Sequence, residues 1–150
     1  MSMFTTNAGR AVGTSKTLLV VEDDAEIRQL EVRALSQLGY KVLQAPGPVE
    51  ALHLAAMTPV IDLLLTDFEM PEANGLQLAR EFRAMHPKTP VLMVSGSLQE
   101  IEGHTHGLNR FAFLAKPFSW DELVDKVYAM LASQKHINST GAFSPFQGAN

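Results

Sequence analysis

The chain predicts an α/β domain built on a parallel sheet with helices on both faces. Three observations predict it. Apolar runs of strand length alternate five times with amphipathic segments at helical spacing. The strand runs are apolar throughout rather than alternating, as in strands buried on both faces. Gly, Pro and Asn-Gly signals punctuate the joins.

Taken in order, Leu18–Val21 predicts the first strand. Ile27, Leu30, Ala34, Leu35 and Leu38 predict a first helix, with Asp24 as N-cap and Gly39 as its stop. Tyr40–Gln44 predicts a second strand, and Pro46-Gly47-Pro48 turns the chain. Val49, Leu52, Ala55 and Ala56 carry a second helix that stops near Pro59. Asp62–Thr66 predicts the third strand. After Asn74-Gly75, Leu76, Leu78, Ala79, Phe82 and Met85 make a third helix, halted by Pro87. Val91–Val94 predicts the fourth strand. Leu98 to Gly107 predicts a short fourth helix, since Gly103 and Gly107 each cost roughly 1 kcal/mol relative to alanine. Phe111–Ala115 is the fifth strand. Leu123, Val124, Val127, Met130 and Leu131 form the fifth helix, with Ser119 as N-cap. Residues 1–16 and 133–150 read as flexible tails around one domain at 17–132.

Composition narrows the function. The 150 residues suffice for one domain with a core. Basic residues number 12 and acidic ones 16, so no overall positive field draws nucleic acid. Absence of cysteine excludes disulfides and thiolate chemistry. No apolar stretch reaches the ~18 residues of a membrane helix, and the N-terminus lacks a signal-peptide core. A cytoplasmic setting fits. Asn138-Ser139-Thr140 matches a glycosylation triplet by chance. His104 and His106 are too closely spaced to share a helical face, and His53, His86 and His136 read as surface residues.

Candidate chemistry collects at strand ends, where parallel sheets place their sites. Glu22-Asp23-Asp24 follows the first strand, Asp67 the third, Ser95-Gly96 the fourth and Lys116-Pro117 the fifth. Mg2+ prefers oxygen ligands and takes one or two carboxylates, which Asp23 and Asp67 can supply, with Glu22 acting through water. Asp67 can serve as a nucleophile toward a phosphoryl group, Lys116 offering a compact positive charge to its oxygens. Ser95 can donate its hydroxyl to a phosphoryl oxygen, and Gly96 leaves room beside it. Taken alone, each feature also has an ordinary structural reading: a solvated acidic loop, a surface lysine, a Ser-Gly-Ser turn. Their coincidence favours one pocket.

Together these residues resemble the receiver domain of two-component response regulators. The anchors are Val20-Val21-Glu22-Asp23-Asp24, Leu65-Thr66-Asp67-Phe68-Glu69-Met70-Pro71 with Asn74-Gly75, Val94-Ser95-Gly96, and Leu114-Ala115-Lys116-Pro117-Phe118. The resemblance spans about residues 17–132. It implies a flavodoxin-like sheet of order 2-1-3-4-5. It implies Asp67 as phospho-acceptor and Mg2+ (or Mn2+) held by Asp23, Asp67, the Glu69 main-chain carbonyl and, through water, Glu22. It further implies Ser95 as the switch hydroxyl, Lys116 as the phosphate-sensing lysine and Phe113 as the switch aromatic. The change would pass through the face of the fourth helix, fifth strand and fifth helix.

Departures from the family pattern are specific. Ser95 stands where threonine is more frequent and keeps the hydroxyl. Phe113 lacks the hydroxyl of a tyrosine. Glu69 puts a charge beside the acceptor, where it bears on access of hydrolytic water. Gly103–Arg110 does not follow the usual pattern.

The implied partners are a sensor histidine kinase or histidine phosphotransfer protein and a downstream protein effector, with neither nucleic acid nor membrane bound directly. The implied state is a monomer or a phosphorylation-dependent dimer. Eighteen C-terminal residues are too few for a DNA-binding module, so the chain reads as a stand-alone receiver or one excised from a hybrid histidine kinase. The implied chemistry is confined to its own phosphorylation and dephosphorylation, so it is not expected to be an enzyme with a separate substrate. Two rival readings remain. One is a phosphorylation-independent receiver-like interaction module. The other is a haloacid-dehalogenase-type phosphohydrolase, suggested by Asp67-Phe68-Glu69, although that family carries its Asp-x-Asp on the first strand.

Overall fold

A computed structural model of the chain describes residues 16–71, 73–97, 99 and 109–143, the last ten of these by backbone alone. Five parallel strands form one sheet in the order β2-β1-β3-β4-β5. They are β1 (Thr17–Val21), β2 (Lys41–Ala45), β3 (Leu63–Asp67), β4 (Val91–Ser95) and β5 (Phe111–Ala115). The helices are α1 (Ala25–Ser36), α2 (Pro48–Met57), α3 (Gly75–Met85) and α4 (Trp120–Phe143), the last being the fifth helix expected from the sequence. The helix expected between Leu98 and Gly107 lies, Gln99 apart, outside the described residues.

Every residue of β3 and β4 is buried, which explains their unbroken apolar runs. Alternate strand residues feed two cores. Leu19, Val21, Leu64, Val91 and Met93 meet α2 and α3 through Ala51, Ala55, Leu78 and Phe82. Leu18, Val20, Leu63, Leu65, Leu92 and Val94 meet α1 and α4 through Leu35, Leu38, Leu123 and Val127. Removing one such leucine side chain would cost about 2–5 kcal/mol.

Polar side chains set the helix starts. The Asp24 carboxylate accepts the Glu26 and Ile27 N–H groups at 2.9 and 3.1 Å. Asn74 accepts the Gln77 N–H at 2.8 Å. Ser119 and Glu122 exchange hydrogen bonds of 3.0 and 2.8 Å, a reciprocal capping box. Gly39 takes φ 100 after α1, a conformation in which a side chain is strained.

Arg83 fastens the far end of α3. Its guanidinium donates to the carbonyls of Thr89 at 2.7 Å, Asn109 at 2.8 Å and Arg110 at 3.2 Å. It also lies 4.8 Å from the Phe111 ring centroid.

Three expectations need correction. His86 is buried rather than on the surface: its Nε2 pairs with the Ala55 carbonyl at 2.9 Å and its ring stacks on Phe82. It can be buried because the bond to α2 satisfies its polar edge. The helix begun at Trp120 continues through residues 133–143, expected to be a loose tail, since no proline interrupts them before Pro145. On α1, Ile27 and Leu30 are exposed while Glu31 is buried, because the inward stripe runs Glu31, Ala34, Leu35 and Leu38.

Candidate functional site

Sheet order puts the carboxyl ends of β1, β3, β4 and β5 side by side. Backbone bonds carry the register past the strand ends: Glu22 N–H to the Ala45 carbonyl at 3.2 Å, Phe68 N–H to Val94 at 2.9 Å, and Lys116 N–H to Ser95 at 2.9 Å. Glu22, Asp67, Ser95 and Lys116 therefore leave the sheet along one rim.

Asp67 is buried at 5% exposure, and Lys116 Nζ lies 2.9 Å from its Oδ1. Glu22, Asp23 and Asp67 each place a carboxylate oxygen within 4.8 Å of the others. Glu22 is buried and Asp23 exposed, so one ligand faces inward and one faces solvent. Such an all-oxygen set, held close by rigid strand ends, suits Mg2+ or Mn2+. Its electrostatics point the same way. Burial, then the hydrogen bond and charge of Asp67, push Glu22 up to about 8, although the Asp24 N–H donates to its Oε2. The acids thus repel in a way that a divalent cation would relieve. Burial opposes the Lys116 charge, but its hydrogen bond to Asp67 and the charges of Asp67, Glu22 and Glu69 outweigh that and raise its pKa.

The loop after β3 is closed tightly under the acceptor. The Gly75 N–H donates to the Phe68 carbonyl at 2.7 Å, and a Cβ on Gly75 would collide with the Asp67 carbonyl. Asn74-Gly75 is therefore more than a helix start: it lets α3 approach the acceptor's own backbone. A Cβ at Gly96, by contrast, would meet nothing within 4 Å among the described residues.

Ser95 is fully buried, and its Oγ donates to Glu69 Oε2 at 2.7 Å. Phe113 is half-buried on β5 opposite Met93 and packs on the α2–α3 side of the sheet. It is thus on the edge strand that leads into Lys116, on the face that meets α2 and α3. The Lys116–Pro117 bond is cis.

Two residues of this region escape sequence reading. The Arg28 guanidinium donates to the Glu22 carbonyl at 2.7 Å and the Gln44 Oε1 at 3.0 Å, bracing the acidic turn. Glu31 is only 3% exposed and lines a cavity of about 470 Å³ with Glu22, Lys116, Phe118 and Trp120. Burial, then the charges of Glu22 and Asp67, raise it to about 8. An arginine and a glutamate within one helix carry no local mark of either role.

The comparisons with known proteins agree with this geometry. Residues 18–128 match the family described as response regulator receiver domain. The chain is 38% identical over 122 residues to sensor kinase CckA of Brucella abortus, covering 80% of this chain and 13% of that protein. It is 34% identical to the chemotaxis protein CheY homolog of Campylobacter jejuni, covering 77% of this chain and 92% of that one. Among solved structures, the receiver domain of hybrid histidine kinase CckA matches at TM-score 0.67 and 32% identity, covering 77% of this chain and 98% of that domain. Vibrio cholerae CheY4 matches at TM-score 0.72 and 26% identity, covering 78% and 99%. With a rim that gathers a buried aspartate, two further acids and a lysine, and with this match along most of its length, the chain belongs to the receiver family of response regulators, the phospho-accepting switches of two-component systems.

Proposed function

We propose that Asp67 is the phospho-acceptor and that Asp23, Asp67, the Glu69 carbonyl and, through water, Glu22 hold Mg2+ or Mn2+. The observation that carries this reading is the buried Asp67 carboxylate, 2.9 Å from Lys116 Nζ and within 4.8 Å of the Glu22 and Asp23 oxygens. An Asp67 oxygen attacks phosphorus of a phosphohistidine on a sensor kinase or phosphotransfer protein. The new O–P bond forms as the N–P bond breaks, and the released imidazole takes a proton from solvent. The bound cation supplies positive charge against the acids and the phosphoryl oxygens. Lys116 then exchanges its carboxylate partner for a phosphoryl oxygen, and Ser95 supplies a hydroxyl. The rearrangement reaches a partner protein through the β5–α4 face, and the chain turns over no separate substrate. Kinase partnership is supported by a relative that is a sensor kinase, of which this chain spans 13%. Among the described residues no helix is long and apolar enough to cross a membrane, which accords with work in the cytoplasm.

The test is direct. Wild type and Asp67→Asn are incubated with Mg2+ and acetyl phosphate or phosphoramidate, and intact mass is measured. One base-labile phosphoryl adduct is expected on the wild type alone; an equal adduct on the variant, or none on either, refutes the assignment.

A further inference from the structure

The Ser95 hydroxyl is already in use. A serine hydroxyl carries one proton to donate. Here that proton goes to Glu69 Oε2 at 2.7 Å, while Oγ accepts the Ser97 N–H at 2.9 Å. Ser95 itself is fully buried, while its partners Glu69 and Ser97 are exposed, so the hydroxyl meets these two groups at the edge of the rim. Glu69 lies two residues beyond Asp67, on the loop whose Phe68 N–H is bonded to Val94, next to Ser95. The backbone therefore holds the glutamate and the serine in register.

We propose that Glu69 is a latch: its carboxylate occupies the Ser95 hydroxyl in the resting chain and competes for it with the phosphoryl group on Asp67. The idea rests on the phospho-acceptor reading. A phosphoryl oxygen can take the hydroxyl proton only after Glu69 lets go. Switching is thereby coupled to release of the loop that follows the acceptor, and Glu69 is a positioning residue acting through Ser95. Its charge also repels an incoming anion directly, so the test must separate capture of the hydroxyl from simple repulsion.

A double-mutant cycle does so. Binding of beryllofluoride with Mg2+ is measured for wild type, Glu69→Ala, Ser95→Ala and the double variant. Glu69→Ala is expected to tighten binding about tenfold when Ser95 is present, the scale of one hydrogen bond, and to change it little when Ser95 is absent. An equal gain in both backgrounds overturns the latch and leaves repulsion as the cause. A second measurement needs no anion. Hydrogen exchange at the Ser97 amide, which leans on the same hydroxyl, is expected to speed several-fold in Glu69→Ala; an unchanged rate also overturns the latch. Should beryllofluoride bind neither wild type nor any variant, the phospho-acceptor reading fails and the competition with it, while faster Ser97 exchange would still report the resting contact.

Discussion

Two buried glutamates sit near the same rim and live differently. Glu22, at the end of β1, has an N–H donor from Asp24, and Asp67 and Lys116 beside it. Glu31, on the inward stripe of α1, faces the cavity lined by Lys116, Phe118 and Trp120, and its carboxyl has no hydrogen-bond partner among the described residues. Both are raised to about 8 with burial as the first cause. The charge of Lys116 favours ionisation of both, so the difference lies in the Asp24 donor: the same desolvation can serve a site or merely weaken a fold, depending on whether a hydrogen-bond donor is in reach.

Metal binding should separate the pair most sharply. Glu22→Gln is expected to weaken Mg2+ binding by about tenfold or more, as loss of a supporting group does. Glu31→Gln is expected to leave it within a factor of two or so. Titration followed by Trp120 fluorescence or calorimetry reads both; equal losses would erase the contrast.

Stability against pH is the next effect. A carboxyl whose folded pKa lies above its unfolded value costs nothing where both states are protonated. As pH rises from 4.5 toward 8, the unfolded chain ionises at Glu31 first and gains stability relative to the folded one. Folding stability therefore falls through that window, by roughly 3–5 kcal/mol in total. Glu31→Gln should match wild type near pH 4 and exceed it by about that amount near pH 8. Urea unfolding across pH checks it, and parallel curves for the two proteins would refute it.

The smallest effect isolates the third acid of the same turn. Asp24→Ala removes the α1 cap and should cost about 1 kcal/mol in urea unfolding with Mg2+ affinity nearly unchanged. A large loss of Mg2+ affinity would show that the cap and the cation share one carboxylate.

Much of this was legible because it is local. Unbroken apolar runs marked β3 and β4, and Asp24, Asn74 and Ser119 announced their helices by residue type. The strand-end acids and lysine were legible as chemistry, since parallel strands deliver their carboxyl ends to one rim. Periodicity failed where it counts hydrophobicity instead of direction. Ile27 and Leu30 look like core yet face solvent, while Glu31 occupies an inward position that no apolar count can find. His86 was missed because its partner is the Ala55 carbonyl, 31 positions away in the chain. The Ser95–Glu69 pairing spans 26 positions and exists only because β3 and β4 are neighbours.

The grip of Arg83 has its own corollary. All three of its acceptors are main-chain oxygens, at Thr89, Asn109 and Arg110. Exchange of those three side chains leaves the oxygens in place, so these ties do not depend on their identity, although the φ of 63 constrains Arg110 and the bond of the Thr89 hydroxyl to the Ile61 carbonyl at 2.7 Å constrains Thr89. Loss of the one arginine undoes every tie at once. The burden of sequence constraint thus falls on a single codon in α3 and spares the turn it secures.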